Sequence, residues 1–174
     1  MSYHRETLVA ELRERGVAYL APSNAASTEP PSTDEALLLA LLDQPDARLR
    51  MGLVPLLIRH PVLVADVRQL ADRLAPPLRL ELQTYYMAAV YLQRLWRSRL
   101  GFYLDTNILL PDLFSSEMGL SPADERNGKV GLYDLADVWQ ARSRFPFDRL
   151  AEMNQTIDHF FGQLELEGVR PEYA

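Results

Sequence analysis

Apolar residues recur at helical spacing along most of the chain. Leu8, Val9 and Leu12 fall on one face of a segment over 4–15, which predicts a first helix that Gly16 ends in a left-handed conformation. The run ALLLALL at 36–42 is apolar around most of a helical circumference, so we expect a deeply buried helix beginning near Thr33. Ser32 and Glu35 stand before it at the spacing of a capping box.

Prolines divide the middle of the chain. A helix is predicted over 46–59, and Pro55 inside it is expected to bend or interrupt it. Pro61 ends that helix and starts another over 61–74. The longest regular pattern runs from about 78 to 100, and we expect this helix to be the central element of the fold.

Turn-forming residues mark two irregular segments. Residues 22–31 are rich in Ala, Ser, Thr and Pro, which predicts a flexible loop, and VAYL before them could add a short strand. Residues 101–130 form a second turn-rich segment, followed by helices over 132–141 and 150–164, the last capped by Asp148. The chain therefore predicts one all-α domain over 1–174, an irregular bundle of six or seven helices around the long central one.

Composition excludes several classes of site. The 174 residues include no cysteine, which rules out disulfides, thiol nucleophiles and thiolate metal sites. His4, His60 and His159 lie too far apart for the i, i+3 or i, i+4 zinc pairs of helices. No phosphate-binding glycine loop or nucleophile elbow occurs, and we expect no cofactor. The charged start MSYHRETL and the lack of a long apolar run favour a cytoplasmic protein without membrane contact.

Charge is distributed unevenly along the chain, whose formal net charge is -6. Residues 46–100 hold nine arginines and four acids, whereas residues 1–45 and 101–174 are both acidic overall. A basic middle between acidic ends could form a surface for an anionic partner. The alternative is that the segments neutralise one another when the chain folds.

Residues 35–61, EALLLALLDQPDARLRMGLVPLLIRHP, resemble one HEAT-type helical hairpin. The resemblance rests on an apolar first helix, a turn at 43–46, and Arg50 placed to reach back to turn carbonyls or to an aspartate. Any tightly turned helical hairpin would give this pattern, and a unit that occurs once does not build a solenoid. The resemblance implies a scaffold or adaptor rather than an enzyme.

The string FYLDTNILL, residues 102–110, resembles the first strand of PIN-domain nucleases. The resemblance implies that Asp105 binds a divalent metal and that Asn107 supports the site, so that carboxylate oxygens help to activate a water for phosphodiester cleavage. PIN domains are α/β, whereas the residues after 110 show helices and turns rather than alternating strands. We therefore interpret the string as an apolar segment ending in an Asp-based turn, with a PIN-like metal nuclease as the second alternative function.

The end of the central helix, YLQRLWRSRLGFY, contains the candidate partner-binding residues Arg94, Arg97, Arg99, Tyr91 and Trp96. Arginines with aromatic residues suit a nucleic acid or an anionic protein, with charge for phosphate and rings for stacking. The alternative is structural: cations offset the dipole at a helix C-terminus, and the two aromatic residues fall where core residues belong.

No assembled acid-base, nucleophilic or metal group is found in the sequence. We therefore predict a non-catalytic helical adaptor or regulatory protein that binds another macromolecule, with a protein as the expected partner. Nucleic-acid binding through the arginine and aromatic residues is the first alternative, and a homo-oligomer is left open. In its general sequence pattern the chain is broadly similar to bacterial helical proteins that accompany nucleotidyltransferase-like proteins.

Overall fold

All regular structure in the described part of the chain is helical, which confirms the predicted all-α fold. The computed structural model describes residues 3–21, 29–104, 108–144 and 147–168, so most of the predicted loop over 22–31 lies outside the described residues. VAYL at 17–20 forms no strand. The helices are α1 (Arg5–Glu14), α2 (Asp34–Leu42), α3 (Ala47–Met51), α4 (Leu53–Arg59), α5 (Val64–Arg73), α6 (Pro76–Leu95), α7 (Arg97–Tyr103), α8 (Ser115–Met118), α9 (Lys129–Arg142) and α10 (Arg149–Gly168).

The described residues form ten α-helices rather than the six or seven predicted, because two predicted helices are each divided and the short α8 lies in the segment predicted to be turn-rich. The helix expected over 46–59 breaks at Gly52 rather than at Pro55, which lies in the first turn of α4 where a missing N–H removes no intrahelical bond. A Cβ at Gly52 would lie 2.9 Å from the Leu49 carbonyl oxygen and 3.0 Å from Leu12 Cδ1. The junction therefore has no room for a side chain.

Two helix caps show how well local signals define the helix starts. The cap of α2 is Thr33, whose Oγ1 accepts a hydrogen bond from the Ala36 N–H at 3.1 Å, so the predicted box of Ser32 and Glu35 was placed one residue too early. The cap of α10 is as predicted, since Asp148 Oδ1 accepts from the Ala151 N–H at 2.9 Å. A side-chain acceptor at this position satisfies one of the free N–H groups of the first turn.

The central helix α6 is shorter than predicted but central as expected. It is in contact with α4, α5 and α9, and every residue from Leu82 to Gln93 is buried. The backbone leaves helical geometry at Trp96 (φ -108°, ψ 20°), and the chain continues as the separate helix α7. None of the described helices is both long and apolar enough to cross a membrane.

The turn-rich segment predicted over 101–130 is irregular where it is described, apart from the end of α7, the short α8 and a 3-10 turn at Glu125–Gly128. Hydrogen bonds hold it against α6. Gln93 donates to the Ile108 carbonyl at 2.9 Å and accepts from the Leu110 N–H at 2.7 Å. The hydroxyls of Tyr86 and Tyr91 donate to the carbonyls of Pro111 and Ser121, each at 2.7 Å. The polar atoms of α6 thus position this segment.

Candidate functional site

Folding pairs the basic middle of the chain with its acidic ends. Five of the nine arginines in 46–100 form ion pairs with acids from the other two segments: Arg59 with Glu167, Arg73 with Glu35, Arg79 with Glu117, Arg94 with Asp124, and Arg99 with Glu165. The alternative that the segments neutralise one another therefore describes most of this charge. Exposed pairs of this kind contribute little stability, so their main effect is to remove basic surface.

Two of the candidate residues on α6 are engaged inside the protein. Tyr91 is fully buried, and burial raises the pKa of its hydroxyl, which donates its hydrogen bond to Ser121. The Arg94 side chain is only 10% exposed; it donates to the Leu110 carbonyl at 2.6 Å and to Asp124 Oδ1 at 3.1 Å. Both residues hold the segment after α7 onto the central helix.

Trp96 and Arg99 connect the α6–α7 junction to α10. The Trp96 ring meets Phe161 edge to face at a centroid distance of 5.6 Å, and the Arg99 guanidinium lies 3.9 Å from the centroid of the same phenyl ring. Arg99 also donates to Glu165 Oε1 at 2.6 Å. The indole N–H of Trp96 is buried and has no hydrogen-bond partner among the described residues. These contacts fix the orientation of α7.

Arg97 differs from the other candidates because it is exposed and forms no ion pair with a described residue. A shallow depression of about 380 Å³ at the helix junction is lined by Arg94, Trp96, Arg97, Arg99 and Asn127, so the structure brings four of the five candidates together and leaves Tyr91 beneath them. Asn127 has a positive φ of 55°, an uncommon conformation for a residue with a side chain, and its loop packs on the end of α6. Arg94 and Arg99 are already ion-paired here, and Arg97 is not paired with a described acid.

A second feature of α7 was missed by sequence reasoning. Arg97, Ser98, Gly101 and Phe102 are all exposed and form one stripe, which we call the outer face of α7. The Phe102 side chain is 82% exposed although its ring contacts Tyr103 at a centroid distance of 5.0 Å. Beside it, a groove of about 450 Å³ separates α7 from the end of α10. The sequence contains a signal for this face, because Ser98 and Phe102 stand at i, i+4 spacing on the side of the helix opposite the buried Leu100.

The PIN-like string does not lead to a metal site in the described structure. Asp105 and Asn107 lie outside the described residues, and the described ones include no group of three His, Asp or Glu side chains able to hold a metal ion. The strands expected of an α/β PIN domain are also absent from the described part of the chain.

The contact expected from the HEAT-type resemblance is present in the hairpin. Arg50 Nη1 donates to the carbonyl oxygen of Gln44, in the turn between α2 and α3. A guanidinium that bonds a turn carbonyl ties the second helix of the hairpin to the turn, which any tight helical hairpin could also use. The relationship to HEAT repeats therefore stays a prediction.

No protein-family model, curated protein or solved structure matches the chain. Its function therefore has to be argued from the geometry of its own surfaces.

Proposed function

We propose that this protein is a non-catalytic helical adaptor or regulatory protein that binds another protein through the outer face of α7. The observation that supports this proposal is the exposure of Phe102, a large apolar residue that is 82% exposed although the other side of α7 packs on α10. Single exposed apolar residues are ordinary on protein surfaces, but aromatic residues, including phenylalanine, and arginine are enriched at protein interfaces.

The composition of the outer face suits close contact with a helix. Phe102 and Arg97 stand at its two ends, and Ser98 and Gly101 between them are small, so a partner backbone can approach without displacing a side chain. Because Arg99 is held by both Glu165 and Phe161, α7 is oriented before binding, which lowers the entropy lost on association.

The partner that fits is an amphipathic helical segment. An apolar side chain on it would cover Phe102 and enter the groove between α7 and α10, and a carboxylate one or two turns away would pair with Arg97. An aspartate or glutamate is favoured at that position because Arg97 has no ion-pair partner among the described residues. Recognition of this type places anchors at i, i+3 or i+4, and i+7 of the bound helix.

The test is a comparison of partner capture and affinity between matched variants. Tagged wild-type protein, Phe102→Ala and Arg97→Glu are used to purify partners from the native host at low salt, and the affinity for any captured protein is then measured by calorimetry. Val62→Ala is the control, because Val62 is an apolar side chain of comparable exposure, 76%, in the turn between α4 and α5. Loss of an aromatic anchor is expected to weaken binding by about 30-fold or more.

The outcomes separate the candidate functions. A protein bound by the wild type and Val62→Ala but lost by Phe102→Ala and Arg97→Glu supports the proposal. A protein bound with equal affinity by Phe102→Ala overturns it. Recovery of salt-labile nucleic acid with no protein, sensitive to Arg97→Glu alone, would replace it with the nucleic-acid alternative.

A further inference from the structure

A second group of arginines surrounds a cavity at the opposite end of α6. The cavity has a volume of about 290 Å³ and lies where α3, the first half of α6, the end of α9 and the start of α10 meet. Its charged and polar lining consists of Arg50, Glu81, Tyr85, Arg142, Ser143 and Arg149. The three guanidinium groups come from three different helices, so no local sequence pattern brings them together.

Two of these arginines use only neutral acceptors. Arg50 Nε donates to the Tyr85 hydroxyl oxygen at 3.1 Å, and its Nη1 donates to the Gln44 carbonyl. Arg142 donates to the Val138 carbonyl at 3.3 Å and to Thr84 Oγ1 at 3.0 Å. Neither forms an ion pair with a described carboxylate, and each keeps one terminal nitrogen without a described acceptor. Their positive charges are held in place without being neutralised by direct contact.

The third arginine is held in place by its neighbours. Arg149 Nη1 pairs with Glu152 at 2.7 Å, its Nη2 donates to Ser143 Oγ at 2.8 Å, and its guanidinium carbon lies 4.9 Å from the centroid of the Trp139 ring. Only 15% of its side chain is exposed. Its position is therefore set before any ligand arrives.

The local charge balance is positive. Glu81 lines the cavity and attracts Arg142, but it forms no ion pair with a described guanidinium, and Glu152 neutralises Arg149. Counting the three arginines against these two acids leaves one excess positive charge. Partial burial lowers the pKa of Arg142, and the charge of Glu81 opposes that shift.

We propose that this cavity binds the phosphate group of a small molecule, either as free phosphate or as a monoester. Arg50 and Arg142 each bring a terminal nitrogen without a described acceptor to the lining of one cavity, and charged guanidinium donors suit phosphate oxygens. A small concave cavity suits a phosphate and a short attached group rather than the backbone of a nucleic acid. Binding would also link α3 to the end of α9 and the start of α10.

This proposal does not depend on the proposed adaptor function. Glu81 and Arg97 are sixteen residues apart along α6 and α7, about 24 Å at the rise of an α-helix. Variants at one site should leave the other unaffected, so the two proposals can fail separately.

The experiment measures thermal unfolding and calorimetric binding with inorganic phosphate and, in parallel, with ribose 5-phosphate, at constant ionic strength set with chloride. The wild type is expected to show a saturable rise in unfolding temperature with phosphate. Equal affinity for both probes would mean that the cavity recognises the phosphate group alone, whether it is free or part of a monoester. Tighter binding of ribose 5-phosphate would identify a monoester as the preferred ligand.

Three variants test the assignment. Arg142→Gln is expected to weaken phosphate binding by about tenfold or more, because a charged hydrogen-bonding partner is removed. Arg144→Gln removes the same charge two residues away from an exposed side chain that does not line the cavity, and it should bind like the wild type. Glu81→Gln should bind more tightly, since a repelling carboxylate is lost.

The opposite direction expected for Glu81→Gln keeps the test valid even if Arg142→Gln folds poorly, which circular dichroism would reveal. The absence of saturable binding by the wild type, or equal weakening by Arg142→Gln and Arg144→Gln, would overturn the proposal by showing a general salt effect. Unchanged or weaker binding by Glu81→Gln would also contradict it.

Discussion

Gly131→Ala tests whether Tyr91 is a core residue or a contact residue. Gly131 lies in α9 directly against the ring of Tyr91, and a Cβ at this position would come within 2.0 Å of Cε1 and 2.3 Å of Cζ. Carbon atoms in contact are normally about 3.5–4.0 Å apart, so the ring would have to move by roughly 1.5 Å or more. Tyr91 is fully buried, so its ring can move only by displacing neighbouring side chains.

The expected cost follows from three contributions. Overpacking a well-filled core costs about 1–3 kcal/mol. Displacing the ring also breaks the 2.7 Å hydrogen bond from the Tyr91 hydroxyl to the Ser121 carbonyl, worth about 0.5–1.5 kcal/mol. Replacing glycine by alanine within a helix returns about 0.5–1 kcal/mol. The free energy of unfolding should therefore fall by about 2 kcal/mol.

Urea denaturation followed by circular dichroism measures this change, and α10 offers a matched control. Gly162 is also a helical glycine, but a Cβ there meets no atom within 4 Å, so Gly162→Ala should gain about 0.5–1 kcal/mol. A Tyr91→Leu background should remove part of the penalty of Gly131→Ala, because a smaller side chain lies opposite. If Gly131→Ala is as stable as Gly162→Ala, the placement of Tyr91 in the core is incorrect.

Two further predictions concern polar contacts. Arg94→Gln should lower the free energy of unfolding, measured in urea, by about 1–3 kcal/mol because it leaves the Leu110 carbonyl without its charged donor. Arg97→Gln, at an exposed position, should change it by less than about 0.5 kcal/mol. Equal effects of the two variants would refute the structural role of Arg94. Burial raises the pKa of Asp46, but hydrogen bonds from Arg5 and from the backbone N–H groups of Arg48 and Leu49 outweigh it and hold the net value below the ordinary one. The stability that Asp46 contributes should therefore be present above about pH 4, the pKa of an aspartate in the unfolded chain, and be lost as the pH falls further. In Asp46→Ala the unfolding temperature should fall less steeply between about pH 5 and pH 3 than in the wild type. An unchanged slope would contradict this prediction.

The helices that the sequence predicted well are those with short-range signals. Gly16 ends α1 with a φ of 82°, and Asp148 caps α10 through the N–H three residues later. The buried leucines of α2 follow from composition alone. Such features depend on residues within one or two turns, so a single sequence contains the information needed to place them.

The breaks at Gly52 and Trp96 depend on tertiary contacts and could not be predicted in the same way. Proline was the available sequence signal for an interrupted helix, and it indicated Pro55, which lies harmlessly in the first turn of α4. Gly52 lies against a residue forty positions away, since a Cβ there would be 3.0 Å from Leu12 Cδ1. Trp96 has neither proline nor glycine beside it, and its ring packs on Phe161 of α10.

The arginines of the candidate site also have roles that a single sequence cannot predict. Arg94, Arg97 and Arg99 are equivalent in the sequence, but their roles depend on whether Asp124 or Glu165 reaches them when the chain folds. The arginines of 46–100 that keep no carboxylate partner among the described residues are Arg48, Arg50, Arg68 and Arg97. Arg97 belongs to the proposed protein-binding face, and Arg50 lines the proposed phosphate cavity. Arginines that remain unneutralised after folding are therefore better candidates for a site than charge counted along the sequence, because a guanidinium whose charge is already paired attracts a further anion less strongly.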